Sequence, residues 1–442
     1  MTDFTLEILP LRQGLIAGRD NAIDALIKVS ATAPEEADPN GAALDLSIVI
    51  DRSGSMAGSL EDVKRCVRAI IDRAGSNDRI GVIAYDTLVE SVVPFGPLTN
   101  WSDAREAIDG LTARGGTDLH LGWRTGVDEL RHGLGDAVPG GQSVDRLTRV
   151  LLLSDGLANA GIADPVLLSS LCREQARAGI STSTFGVGHD FGEDLMTAMA
   201  KFGSGNAYYG KTSAELIGCY EQELDALRAM RATNLALRFT PADGVRVDER
   251  NGHLREGAQL LLPDLAAGSS AISVVRLHVP AAIAVEGSAP AVLSCQVTLH
   301  ALGRGAVSVE ATLRLPVMTA AAFEALDQNE EVHARLCEAR AAELMDMAAS
   351  AAQRGDWRGV EETLAIAHAE AGSNQWVRDA LTTLLRYAHQ QDQMSLQKEA
   401  HYQSKEMRRK LRGFGEAEAF DRDAEASRMS FLRRKREQGL NE

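Results

Sequence analysis

Leu46-Ser47-Ile48-Val49-Ile50 is a short run dominated by large aliphatic residues that breaks without transition into Asp51-Arg52-Ser53-Gly54-Ser55-Met56. An apolar run without polar alternation reads as a strand buried on both faces, which belongs in a parallel α/β sheet covered by helices. The polar hexapeptide then begins where that strand leaves the core. In an open α/β sheet this carboxyl edge is where ligands bind. Alternate residues Asp51, Ser53 and Ser55 can turn toward one point, and Gly54 permits the backbone to bend tightly between them. One carboxylate and two hydroxyls are hard oxygen donors of the kind a hard divalent cation takes.

Two later segments extend the pattern. Arg114-Gly115-Gly116-Thr117-Asp118-Leu119 is a glycine-loosened loop that leads into a helix and can present the Thr117 hydroxyl. Arg149-Val150-Leu151-Leu152-Leu153-Ser154-Asp155-Gly156 is a second buried run that ends in an aspartate. Taken together, these segments resemble the metal-ion-dependent adhesion site of a von Willebrand factor type A domain, whose pattern is Asp-x-Ser-x-Ser, then a separate Thr, then a separate Asp. Asp51, Ser53, Ser55, Thr117 and Asp155 match its five positions. The bland alternative is that these are turn residues that cap helices.

The resemblance implies that Asp51, Ser53, Ser55 and Thr117 hold a cation directly or through water, with Asp155 usually one shell further out. It also implies an open coordination position for an Asp or Glu of a protein partner. Three hydroxyls and two carboxylates, with no imidazole or thiolate, rank Mg²⁺ first, with Mn²⁺ or Ca²⁺ as alternatives. The function expected is a metal-dependent protein-protein interaction module, a scaffold or adaptor and not an enzyme. Bacterial members of the family often accompany ATPases and kinases, so an assembly of that kind is one expected setting.

Residues 44–230 alternate strand-like and helical stretches, the mark of a doubly wound, mostly parallel sheet. Strands are expected at Leu44–Ile50, Ile80–Tyr85, Leu88–Val93, Val150–Leu153, Ser183–Val187 and Asn206–Tyr209, and helices at Leu60–Arg73, Leu119–Arg131, Pro165–Ala178 and Ala214–Arg228. Only Asp86-Thr87 separates two apolar runs, so an antiparallel hairpin is expected there. Residues 234–316 lack a helical period and read as a small β-sandwich. The N-terminal residues 1–33 offer two strands, Thr5–Leu9 and Ala22–Ser30, too few to stand alone. They are expected to join the later sandwich, which makes the α/β domain an insertion. That layout resembles bacterial proteins of the calcium-activated chloride-channel-homologue and inter-alpha-inhibitor heavy-chain type. From 319 to 412 the chain is expected to form a helical bundle or hairpins, with Val332, Leu336, Ala339, Leu344, Met347 and Ala351 as an approximate buried stripe. Residues 413–442 read as a mobile charged tail. Its acidic stretch, Glu416 to Asp423, either offers a carboxylate to the metal or is simply solvated.

Other chemistries fit less well. A phosphatase of the haloacid-dehalogenase type also begins with an aspartate after a buried strand, but it needs an acid two residues on, and that position is Ser53. A metal-dependent hydrolase of phosphorylated substrates is kept as the runner-up function. No phosphate loop, nucleophile elbow or His-Glu-x-x-His motif occurs. Gly186-Val187-Gly188-His189-Asp190-Phe191-Gly192 spaces its glycines wrongly for a dinucleotide fingerprint. The net charge of −16 argues against a nucleic-acid surface, despite basic clusters at Lys405–Arg412 and Arg433–Arg436. No stretch reaches the ~18 apolar residues of a membrane helix, and the start lacks a basic segment followed by an apolar core. Five scattered cysteines with no Cys-x-x-Cys pair read as small buried thiols. A cytoplasmic protein with no membrane contact is expected.

Overall fold

Six strands form the sheet that carries the Asp51 loop in this computed structural model, which describes residues 3–32, 42–97, 100–134, 146–155, 158–187, 193–210, 213–372 and 374–411. They are β1 (Ala43–Asp51), β2 (Arg79–Tyr85), β3 (Val89–Pro97), β4 (Arg146–Ser154), β5 (Ile180–Val187) and β6 (Ala207–Gly210). Their spatial order is β3-β2-β1-β4-β5-β6. Every pairing is parallel except β2 with β3, the expected hairpin at Asp86-Thr87. Helices α1 (Leu60–Asp72), α2 (Trp101–Asp109), α3 (Leu119–Leu134), α4 (Pro165–Arg177), α5 (Glu193–Phe202) and α6 (Ser213–Arg228) connect them. Neither α2 nor α5 was assigned from the sequence. Asn100, which accepts from the Asp103 amide at 3.5 Å, is the start signal for α2.

Period-two geometry sorts β1 between two cores. Leu46, Ile48 and Ile50 pack with residues of α1, α2 and α6, while Val49 packs with residues of α3, α4 and α5. The sheet is therefore covered on both faces, as its uninterrupted apolar strands require. Helix α3 approaches closely because it carries glycines where it crosses the sheet. A Cβ on Gly126 would sit 2.6 Å from a Val49 methyl, and one on Gly122 would overlap the Tyr85 ring.

The chain divides into two units, one of them Glu35–Arg231 with Ala301–Gly305, the other Met1–Pro34, Ala232–His300 and Ala306–Glu442. In the second unit, the strands Phe4–Pro10 and Asn21–Ala31 pair with each other, and Asn21–Ala31 pairs with Ser270–Val279, so N-terminal and late strands share one sheet. A second sheet is built on Met230–Pro241, Ala291–Ala301 and Gly305–Arg314. Helices α7 (Ala320–Glu324), α8 (Glu330–Gln353), α9 (Trp357–Glu370), α10 (Gln375–His389) and α11 (Gln393–Leu411) follow.

One residue of the expected stripe is displaced: Met347 is 55% exposed, and Met345 and Ala348 are buried in its place. Helix α8 packs against both α9 and α11, so its buried face runs through Ala341, Met345, Ala348 and Ala352 at three- and four-residue spacing. The tail 413–442, the Glu416–Asp423 stretch, Arg433–Arg436, the side chains of most of the Lys405–Arg412 cluster and the Gly188–Gly192 part of the glycine-rich stretch lie outside the described residues. No described helix is long and apolar enough to cross a membrane.

Candidate metal centre

β1 and β4 are neighbours in the sheet, paired through Ile50 and Leu153. The chain leaves β1 toward α1 on one face and leaves β4 toward α4 on the other. The crevice between their carboxyl ends is the topological switch point of the sheet, and Asp51 and Asp155 stand at its two sides. Asp51 is fully buried and Asp155 is 8% exposed.

Local hydrogen bonds set the Asp51 loop. The Asp51 Oδ1 accepts from the Ser53 amide at 2.8 Å, and the Oδ2 accepts from the Ser154 hydroxyl at 2.6 Å. The Ser53 and Ser55 hydroxyls lie 3.1 Å apart, with Ser53 buried and Ser55 exposed. A short 3₁₀ turn, Gly54–Gly58, then hands the chain to α1. Three of the five residues are thus brought together by one loop, each in hydrogen-bond contact with the next.

Thr117 arrives on the second loop, which is tied to the first. The Gly54 amide donates to the Gly115 carbonyl at 3.1 Å, and the Arg114 amide donates to the Arg52 carbonyl at 2.8 Å. Gly115 has φ of +71°, a left-handed conformation that favours glycine. The third loop closes on the second through Asn159. Its side-chain oxygen accepts from the Thr117 amide at 2.8 Å, and its own amide donates to the Thr117 carbonyl at 3.2 Å. The Thr117 hydroxyl is buried and has no hydrogen-bond partner among the described residues. A buried orphan hydroxyl is costly in a folded protein, so its presence at this point calls for a ligand.

The electrostatics point the same way. Burial raises the Asp51 carboxyl above its ordinary pKa; hydrogen bonds from Ser154 and Ser53 oppose this, and the charge of Asp155 adds to the rise. Those hydrogen bonds come from neutral donors. The two guanidiniums beside the loops are engaged elsewhere: Arg52 Nε bonds Asp86 at 3.0 Å and its Nη1 bonds Glu90 at 2.8 Å, while Arg114 Nε bonds Asp86 at 2.9 Å. Two carboxylates and three hydroxyls, one of them buried and unpartnered, make a donor set of oxygens only, which fits a hard divalent cation. His120 is half-buried beside Trp123 and belongs to the helix surface.

Ser154, Asn159 and Asp86 position these residues and were not singled out from the sequence. Asp86 carried a usable signal, because it follows an apolar run, Ile80–Tyr85, just as Asp51 and Asp155 follow theirs. Asn159 carried none, since its role depends on a contact 42 residues away.

Comparison with known proteins agrees with this geometry. Residues 45–222 match the family model of the von Willebrand factor type A domain. The uncharacterized protein sll0103 of Synechocystis is 28% identical over 239 residues, which cover 53% of this chain and 54% of that protein. Human inter-alpha-trypsin inhibitor heavy chain H6 is 27% identical over 184 residues, covering 39% of this chain and 14% of the heavy chain. This chain thus spans about half the length of the first relative and a small part of the second. A solved structure, von Willebrand factor type A from Catenulispora acidiphila, shares the fold with a TM-score of 0.63 at 18% identity, covering 86% of this chain and 89% of that one. Domains of this type in general bind divalent cations and mediate metal-dependent protein interactions. Residues 45–222, with their sheet order, doubly covered strands and carboxyl-edge crevice, are a von Willebrand factor type A domain.

Proposed function

We propose that Asp51, Ser53, Ser55, Thr117 and Asp155 hold one divalent cation, with Mg²⁺ favoured over Mn²⁺ and Ca²⁺, and that the protein is an adaptor binding an Asp or Glu of a protein partner there. The observation that carries this reading is the buried, unpartnered Thr117 hydroxyl on a loop hydrogen-bonded to the Asp51 loop, with the charge of Asp155 acting on Asp51. The cation supplies positive charge and a coordination position for the partner's carboxylate. The chain's own residues do the rest. Asp51 is fixed by Ser53 and Ser154, Thr117 is fixed by Asn159, and Ser55 stands at the exposed lip.

A cytoplasmic setting is supported by five cysteines that are all free and buried. An assembly containing an ATPase or kinase remains part of the proposal as one such setting, with no role for nucleic acid or membrane. A haloacid-dehalogenase route to the runner-up hydrolase lacks its acid, because that position is the Ser53 hydroxyl, engaged with Ser55.

Calorimetric titration with Mg²⁺ tests the site, and retention of lysate proteins on the immobilised chain tests the function. Wild type binds Mg²⁺ and releases its captured proteins into EDTA, whereas Asp51→Ala and Asp155→Ala do neither while keeping their circular dichroism spectra. Retention unchanged by EDTA and by both substitutions defeats the proposal.

A further inference from the structure

Within the von Willebrand domain, among the described residues, the exposed large apolar side chains are four: Leu88, Leu121, Val166 and Leu167, which are 66%, 39%, 77% and 46% exposed. All four stand at the carboxyl edge of the sheet, the edge that carries the candidate metal centre. Leu88 is in the β2–β3 turn, Leu121 is in the first turn of α3 four residues after Thr117, and Val166 and Leu167 open α4 beyond Asp155.

Hydrogen bonds and close backbone packing tie these segments to the site. The Asp86 amide donates to the Leu88 carbonyl at 2.9 Å, and the Asp86 carbonyl accepts from the Asp118 amide at 2.8 Å. Asp118 Oδ1 accepts from the Leu121 amide at 2.9 Å, and the Asp118 carboxyl packs against Gly161 of the loop that leads into α4. A Cβ on Gly116 would lie 3.2 Å from the Thr87 methyl and 3.0 Å from Asn159, so the three loops abut where Thr117 is presented. Arg114, with a side chain 56% exposed, is ion-paired with Asp86 at the same edge.

Scattered exposed leucines need no explanation, but their confinement to one edge does. Resting on the metal reading above, we infer that this edge is an interaction surface for an acidic residue flanked by large apolar side chains. The partner's carboxylate meets the cation, and its apolar neighbours cover Leu88, Leu121, Val166 and Leu167. A carboxylate on a polar segment would reach the cation and leave this rim wet. The rim therefore sets which acidic segments are held, through burial that weakens by roughly tenfold in affinity for each large side chain removed.

The test is selection of a random displayed peptide library on the immobilised full chain in Mg²⁺, with elution by EDTA. Eluted peptides are expected to contain Asp or Glu with Leu, Ile, Val, Phe or Met beside it. The triple variant Leu88→Ser/Val166→Ser/Leu167→Ser alters exposed positions only. It is expected to bind Mg²⁺ by calorimetry as wild type does, still to elute acidic peptides with EDTA, and to lose the apolar preference. Acidic peptides without apolar neighbours from the wild type overturn the rim and leave the metal site standing. Absence of EDTA-eluted acidic peptides from the wild type overturns both.

Discussion

Thr117 and Asp86 show at the scale of single residues how the domain separates stability from ligand capture. Replacing Thr117 by Val keeps the shape of the side chain and removes the orphaned hydroxyl. Exchange of an unsatisfied buried group for an apolar isostere is neutral to stabilising, so Thr117→Val is expected to melt in EDTA at or above the wild-type temperature. In excess Mg²⁺ the order reverses, because ligand-linked stabilisation requires the lost donor. Thermal melts with and without the ion check this crossing. Asp86 makes the opposite case. Burial raises its pKa, but hydrogen bonds from Arg114 and the Leu88 amide, with the charge of Arg52, outweigh that and bring it down to about 2. A carboxyl lowered from its ordinary ~3.9 stabilises the fold above about pH 4, and that stabilisation disappears as the pH falls through about 2. Asp86→Asn is therefore expected to cost about 2 kcal/mol in urea unfolding at pH 7, with the difference from wild type closing below pH 2.

Helix α3 and helix α6 carry the corresponding predictions for whole elements. Because a side chain on Gly122 would overlap the Tyr85 ring, Gly122→Ala must push α3 off the end of β2, and overpacking of this kind costs ~1–3 kcal/mol. Its melting temperature is expected to fall, and its Mg²⁺ affinity with it, since α3 begins beside Thr117. On α6, Glu223 is fully buried and bonded by Arg149, Ser183, Asn206 and Tyr208. Burial pushes its carboxyl up, yet the Arg149 charge and these hydrogen bonds outweigh it and leave it lowered. Glu223→Ala removes the buried carboxylate that neutralises Arg149, and denaturant unfolding is expected to show a loss of roughly 3–5 kcal/mol. Neither element's detail was legible beforehand. The apolar runs that end in Asp51 and Asp155 announced the sheet and its edge, because burial on both faces leaves a contiguous mark in sequence, whereas the five proposed ligands came from the resemblance of their motif. Glu223 sits in an ordinary helical pattern, and its partners come from β4, β5 and the region of β6, so its role has no local signature. Met347 was placed in the buried stripe for the same reason: a sequence period defines a face, but two flanking helices decide which edge of it is covered.

At the scale of the molecule, the von Willebrand domain interrupts the other unit and returns the chain close to where it left. The Ala42 amide donates to the Arg228 carbonyl at 3.2 Å. A fragment spanning residues 42–231 is accordingly expected to fold cooperatively and to bind Mg²⁺ with the affinity of the full chain, as calorimetry on both will show. The strand Asn21–Ala31 pairs locally with Phe4–Pro10 along one edge, but its other edge has no local partner. It finds Ser270–Val279, with Leu26 opposite Val274, only after roughly 250 further residues have been made, at ribosomal speeds of about 5–20 residues per second. Leu26, Ile27 and Val29, fully shielded in the finished fold, stay uncovered on the nascent polypeptide for that interval, while the inserted domain can already have condensed. The inserted domain is thus expected to condense before that edge of the strand is covered.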